Sequence, residues 1–113
     1  LTDVVLHLDY ISWLIEQVLG PNHTRIARND SSYSPLFGSF KNFPPLFVTA
    51  GTAELFEDEA RRVAEKAVDE GVDVTFVAGE HLMHVYPIFF AHFPEAAHTM
   101  AAIRHWMKQK CHC

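Results

Sequence analysis

Apolar residues recur at Val4, Leu8, Ile11, Ile15, Val18 and Leu19, the spacing of one helix face, which predicts a helix over residues 3–19. Thr2 or Asp3 is placed to cap its start, and Gly20-Pro21 stops it. Val5, Leu6, Tyr10, Trp13 and Leu14 widen the apolar surface beyond one stripe. Such a helix should be buried on more than one side, or against protein outside these residues. The pattern then breaks. From Pro21 to Pro45 the chain is punctuated by Asn, Ser, Pro and Gly, with Tyr33, Phe37, Phe40 and Phe43 between them. This predicts a long loop held down by its aromatic rings. Loops of that length in compact domains are often functional.

Leu46–Ala50 is wholly apolar or β-branched and is bounded by Pro-Pro and Gly, the texture of a strand buried on both faces. A helix follows, with Glu57, Asp58 and Glu59 in its first turn, where the macrodipole favours acids. Ala60, Val63, Ala64, Ala67 and Val68 should face the sheet, and Gly71 should end the helix. Val72–Val77 reads as the second strand, at or near an edge because Asp73 and Thr75 alternate into it. After a loop over Gly79–Met83 and an aromatic stretch from Tyr86 to Phe93, Pro94 and Glu95 open a last helix. Its buried face should include Ala97, Met100, Ala101, Ile103 and Trp106. Strand, helix and strand in this order make a parallel crossover unit of an α/β fold. The chain is thus read as helix (1–20), loop (21–45) and strand-helix-strand-helix (46–113) within one domain, its sheet incomplete on its own.

Composition changes this picture little. With 113 residues, 49% hydrophobic and 20% charged, the chain has an ordinary globular balance. A net charge of −5 argues against nucleic acid as a partner. No apolar run approaches the ~20 residues of a membrane span. Cys111 and Cys113 flank one residue, which is no disulfide framework and leans towards a cytoplasmic setting. Two sequons, Asn22-His23-Thr24 and Asn29-Asp30-Ser31, would allow secretory entry, so the compartment stays open.

The chemistry lies at the strand ends. Glu54 follows the first strand and His84 the second. In a parallel sheet both loops leave the edge that carries the strands' carboxyl ends, where open α/β sheets bind ligands. A triad needs an imidazole to take a hydroxyl proton and a carboxylate to fix its tautomer. Glu54 and His84 fit those two roles, and by spacing alone they fit ordinary loop residues equally well. His81-x-x-His84 lacks a third metal ligand, and Cys111-His112-Cys113 reads as a frayed terminus. His92, His98 and His105 read as surface groups. Leu82, Met83, Val85 and Tyr86 surround the candidate base as core or as pocket wall.

Four segments then arrive in order: Ser34-Pro35-Leu36-Phe37-Gly38, Phe43-Pro-Pro-Leu-Phe-Val-Thr-Ala-Gly-Thr-Ala-Glu-Leu-Phe-Glu-Asp-Glu-Ala60, Glu70-Gly71-Val72-Asp73-Val74 and Met83-His84-Val85-Tyr86. Together they resemble the C-terminal part of the hormone-sensitive-lipase-like branch of the α/β-hydrolases, in the manner of fungal-type relatives of steryl acetyl hydrolases. The resemblance spans roughly Tyr33 to Lys108. It implies the last two parallel strands of that fold, with the family histidine at His84 and its acid at Glu54. Most members have Asp there, and Asp58 is the alternative acid. It also implies a small-molecule ester substrate with an apolar acyl group or sterol-like alcohol, and no cofactor or metal. The Gly-Asp-Ser-Ala-Gly elbow and His-Gly-Gly oxyanion loop that the resemblance implies are not among these residues. The expectation is therefore a longer protein that does the chemistry and an isolated piece that is inert. The rival expectation is a truncated or degenerate relative that binds without catalysis.

Overall fold

A computed structural model describes residues 3–112. The Thr2 cap and Cys113 lie outside the described residues. The chain forms helix α1 (Leu8–Leu19), strand β1 (Leu46–Gly51), helix α2 (Glu57–Asp69), strand β2 (Val74–Gly79) and helix α3 (Pro94–Cys111). Short 3₁₀ turns lie at His23–Arg25, Pro35–Phe37 and Tyr86–Phe89. β1 and β2 pair in parallel, from Leu46 opposite Val74 to Gly51 opposite Gly79. Both strands therefore end level, and the loops bearing Glu54 and His84 leave the same edge.

Alternation along the strands divides the two faces. Leu46 and Val74 turn towards α2, where Val63 packs with the buried Ala67, Phe40 and Val72. Phe47 turns the other way and meets the α3 indole of Trp106 edge-on, with ring centroids 5.7 Å apart. Thr49 shares that second face and reaches the Tyr86 hydroxyl at 3.1 Å. Helices on both sides of a parallel pair are what its apolar strands require.

α2 carries its three acids in the first turn as expected. Ala64 and Ala67 make its buried stripe, whereas Val68 is exposed and is a correction to the expected sheet-facing set. At its C-terminus Gly71 adopts φ 87°. The Gly71 N–H bonds the Val68 carbonyl and the Val72 N–H bonds the Ala67 carbonyl, both at 2.9 Å. This is the Schellman closure, which needs a left-handed residue at Gly71. It also explains a shift in β2, because Val72 belongs to the helix cap. The strand begins two residues later than its pattern suggests and runs on to Gly79.

α1 starts at Leu8, not at residue 3. The Asp3 carboxylate holds the N–H groups of Val5 and Leu6 in a turn of their own, so the helical spacing of Val4 is not used. The helix stops as expected at Gly20, whose N–H bonds the Glu16 carbonyl at 2.9 Å. No α1 residue is buried, and Leu8, Tyr10, Trp13, Ile15 and Val18 are exposed. Burial on more than one side is thus not realised within the described residues. Covering aliphatic side chains of this size would contribute roughly 1.5–3 kcal/mol each.

The long loop is held less by its rings than expected. Phe40 is buried and meets Phe43 edge-on, but Tyr33 and Phe37 are exposed. The tethers come from α2 and its cap. Lys66 donates to the Leu36 and Gly38 carbonyls, and Glu70 accepts the Phe40 N–H and the Ser39 hydroxyl. The Phe40 N–H is the chief reason that the Glu70 carboxyl sits below its usual range. The Ser39 hydroxyl and the Lys66 charge assist it against desolvation.

On α3 the buried residues are Ala96 and Thr99, with Met100, Ile103 and Trp106 half-buried. Ala97 and Ala101 are exposed, which corrects the expected face. The Thr99 hydroxyl bonds the Tyr86 hydroxyl at 2.8 Å, and this anchor turns the helix onto its 96/99/103/106 stripe. No helix among the described residues is long and apolar enough to cross a membrane.

Candidate active site

β1 delivers the chain into a tight turn at Gly51. Three residues on, Glu54 folds back so that its Oε2 accepts the Gly51 N–H at 2.8 Å. Its other oxygen, Oε1, lies 2.9 Å from Nδ1 of His84. The Glu54 side chain is 5% exposed and that of His84 29%. The carboxylate is therefore enclosed, while the imidazole reaches the surface. With Nδ1–H donated to Glu54, the Nε2 lone pair is the site left to take up a proton. The Phe56 ring stands edge-on to the imidazole, 5.9 Å between centroids, and walls one side of it.

The two loops are stitched by their backbones. The Thr52 N–H bonds the Gly79 carbonyl at 2.9 Å, and the Ala53 N–H bonds the Leu82 carbonyl at 3.1 Å. The Thr52 hydroxyl accepts the His81 N–H at 2.8 Å. This close approach depends on Gly51. A Cβ built there would sit 2.0 Å from the Leu82 carbonyl oxygen, a backbone atom that cannot swing aside. Gly51→Ala is expected to cost about 1–3 kcal/mol through overpacking and to part the carboxylate from the imidazole. Urea unfolding of the variant checks this, and an unchanged midpoint would show that the loops tolerate the methyl.

Val85, next to the histidine, has φ 50° and ψ 28°. A β-branched residue in the left-handed region carries strain of order 1–3 kcal/mol. The turn lets His84 meet the acid while the adjacent Tyr86 enters the core.

Among the residues singled out by sequence, Glu54 and His84 are brought together and Asp58 is not. Asp58 lies on the first turn of α2, largely exposed, with Arg62 at 3.8 Å. Tyr86 is fully buried and shared by Thr49 and Thr99, so it takes the core role of its two readings. Leu82 and Met83 are half-buried, and Val85 is exposed. Leu82 borders an open cavity with Ala78, Glu80, Pro94, Glu95 and His98. His81 is exposed near Glu80, and among the described residues no three His, Cys, Asp or Glu side chains cluster as metal ligands.

One participant is not foreseen from sequence. Asp3, buried at 9% exposure, bonds the Leu55 N–H through Oδ2 at 2.8 Å, fifty-two positions away. Burial works to raise its pKa. The N–H groups of Leu6, Leu55 and Val5 and the nearby His84 outweigh that, so the carboxyl lies below its usual range. No local signal marks it, since an acid before a helix reads simply as a cap.

The family model for the alpha/beta hydrolase fold matches residues 1–88. This chain belongs to the α/β-hydrolase family. It is similar to an esterase of Acinetobacter venetianus, 35% identical over 78 residues, covering 69% of this chain and 26% of the esterase. It is also similar to an acetyl-hydrolase of Streptomyces hygroscopicus, 32% identical over 62 residues, covering 55% of this chain and 21% of that protein. The chain thus spans about a quarter or less of the length of these relatives. Its fold matches the crystal structure of a hormone-sensitive lipase from a metagenome library with a TM-score of 0.84. The sequences are 20% identical, and the match covers 96% of this chain and 36% of that one. The two-stranded parallel sheet with its helices is a partial version of the α/β-hydrolase fold.

Proposed function

We propose that this chain is the C-terminal part of a serine-type carboxylic-ester hydrolase and supplies its acid, Glu54, and its histidine, His84. The observation that carries the reading is the 2.9 Å bond between Glu54 Oε1 and His84 Nδ1 at the carboxyl edge of a parallel strand pair. Supporting it are the family membership and the esterase and acetyl-hydrolase relatives. In this reading a serine hydroxyl elsewhere in the polypeptide attacks the ester carbonyl as His84 Nε2 takes its proton. Glu54 holds the ring in the tautomer with hydrogen on Nδ1 and stabilises the imidazolium that forms. His84 then returns the proton to the departing alkoxide, and the acyl-enzyme is hydrolysed with the imidazole activating water. No metal or cofactor is needed for these steps. The substrate is a small ester with an apolar acyl group or a sterol-like alcohol.

A serine-reactive fluorophosphonate applied to an extract of the source cells tests the reading. A labelled protein that contains the Ala60–Lys66 peptide and is well above 12.9 kDa is the expected product. An unlabelled protein close to 12.9 kDa would exclude catalysis and leave a non-catalytic binding protein.

A further inference from the structure

Asp3 accounts for a feature of the site that Glu54 and His84 do not explain between them: what fixes the peptide that carries the acid. The Glu54 side chain is held at its far end by Gly51 and His84. Its backbone N–H reaches the Gly51 carbonyl at a long 3.3 Å. The next N–H, that of Leu55, donates to Asp3 Oδ2 at 2.8 Å. Asp3 is itself immobilised, because its Oδ1 accepts from Val5 at 2.9 Å and Leu6 at 2.8 Å. One buried carboxylate thus ties the segment before α1 to the residue that follows the acid.

We propose that Asp3 is a positioning residue for the triad acid, clamping the Glu54–Leu55 peptide so that the Glu54 carboxylate meets Gly51 with one oxygen and His84 with the other. The clamp requires a carboxylate. It must accept on both oxygens, two N–H groups on Oδ1 and one on Oδ2. A hydroxyl is too short to span Leu6 and Leu55, and an amide turns an NH₂ group towards one of them. The depressed pKa of Asp3 agrees with a group kept ionised by those donors. A charge-assisted bond of this kind is stronger than its neutral counterpart. Asp3 touches no reacting atom in this scheme; it acts through Glu54.

The inference rests on the reading of Glu54 as the acid, and a double-mutant cycle in the complete protein separates the two. Asp3→Asn, Glu54→Gln and the double variant are assayed on a p-nitrophenyl ester. Rates are expressed per folded protein, quantified by circular dichroism and the monodisperse peak in gel filtration, so that misfolded protein is not counted. Asp3→Asn is expected to lower kcat about tenfold, the effect of one lost charged hydrogen bond, with KM unchanged. With Glu54→Gln already present, the same change should cost less than about twofold, since the clamp no longer has an acid to position. An equal loss in both backgrounds overturns the clamp and leaves Asp3 a stabilising residue only. A harmless Glu54→Gln overturns the acid assignment instead. Should Asp3→Asn yield too little folded protein, Asp3→Ser replaces it. Serine retains the turn through Val5 and Leu6 and releases Leu55, and the same non-additivity is expected.

Discussion

On the proposed reading, replacing His84 with alanine in the complete protein is expected to remove ester turnover, by roughly 10⁶-fold in kcat. The size follows from the role. Without an imidazole no group takes the serine proton during attack, and none returns it to the leaving alkoxide. Removing a triad base costs about as much as removing the whole triad. The structure should tolerate the change, since the side chain is partly exposed and its hydrogen bond among the described residues is to Glu54. Comparison of kcat for wild type and variant on a p-nitrophenyl ester, with circular dichroism to verify folding, checks the expectation. Activity within tenfold of wild type would show that the histidine of the triad lies elsewhere.

Glu54→Gln is expected to lower kcat about 10⁴-fold with the fold intact. The reason lies in the number of acceptors. Glu54 accepts two N–H groups, one from Gly51 and one from His84, on separate oxygens. Glutamine offers one acceptor oxygen and one NH₂. If its oxygen stays with Gly51, the NH₂ faces Nδ1 and the imidazole must switch its hydrogen to Nε2. Nε2 then has no lone pair for the serine proton. If the amide turns the other way, the Gly51 N–H is left facing a donor in a buried turn, at a cost of about 1–3 kcal/mol. Either orientation removes the negative charge that stabilises imidazolium. Full activity in this variant would transfer the acid role away from Glu54. Asp58, exposed and near Arg62, has no bond to the imidazole with which to assume it.

How much of this was legible in the sequence depends on the distance over which each cause acts. Gly20, the acids that open α2 and the Gly71 cap act within one turn, and they were read from the residues alone. The juxtaposition of Glu54 and His84 was legible at thirty positions' separation because parallel topology converts two strand ends into one edge. The start of α1 was not, because Asp3 closes a separate turn on the Val5 and Leu6 N–H groups through Oδ1 while Oδ2 holds the distant Leu55 N–H. On α3, Met100, Ile103 and Trp106 lie on the expected face, but Ala97 and Ala101 do not. Ala97 and Ala101 fit an apolar stripe, but the hydroxyl chain Thr49–Tyr86–Thr99 puts a polar residue on the buried side. Val72 was assigned to a strand by its apolar character, whereas its N–H was committed to the cap of α2.

The bonds that join the Thr52–Ala53 turn to Gly79 and Leu82 have a consequence on the evolutionary scale. Acid and histidine hang from one continuous stretch, residues 46–84, whose internal register is set by its own six strand pairs. A genetic exchange with both breakpoints outside that stretch would transmit the two together, already aligned, into a new host sheet. A breakpoint within α2 would instead unite an acid turn and a histidine loop that had never been matched, and the Gly51–Leu82 contact would be the first to fail. Inheritance of the pair as one block is then a property of its hydrogen bonding as much as of its ancestry.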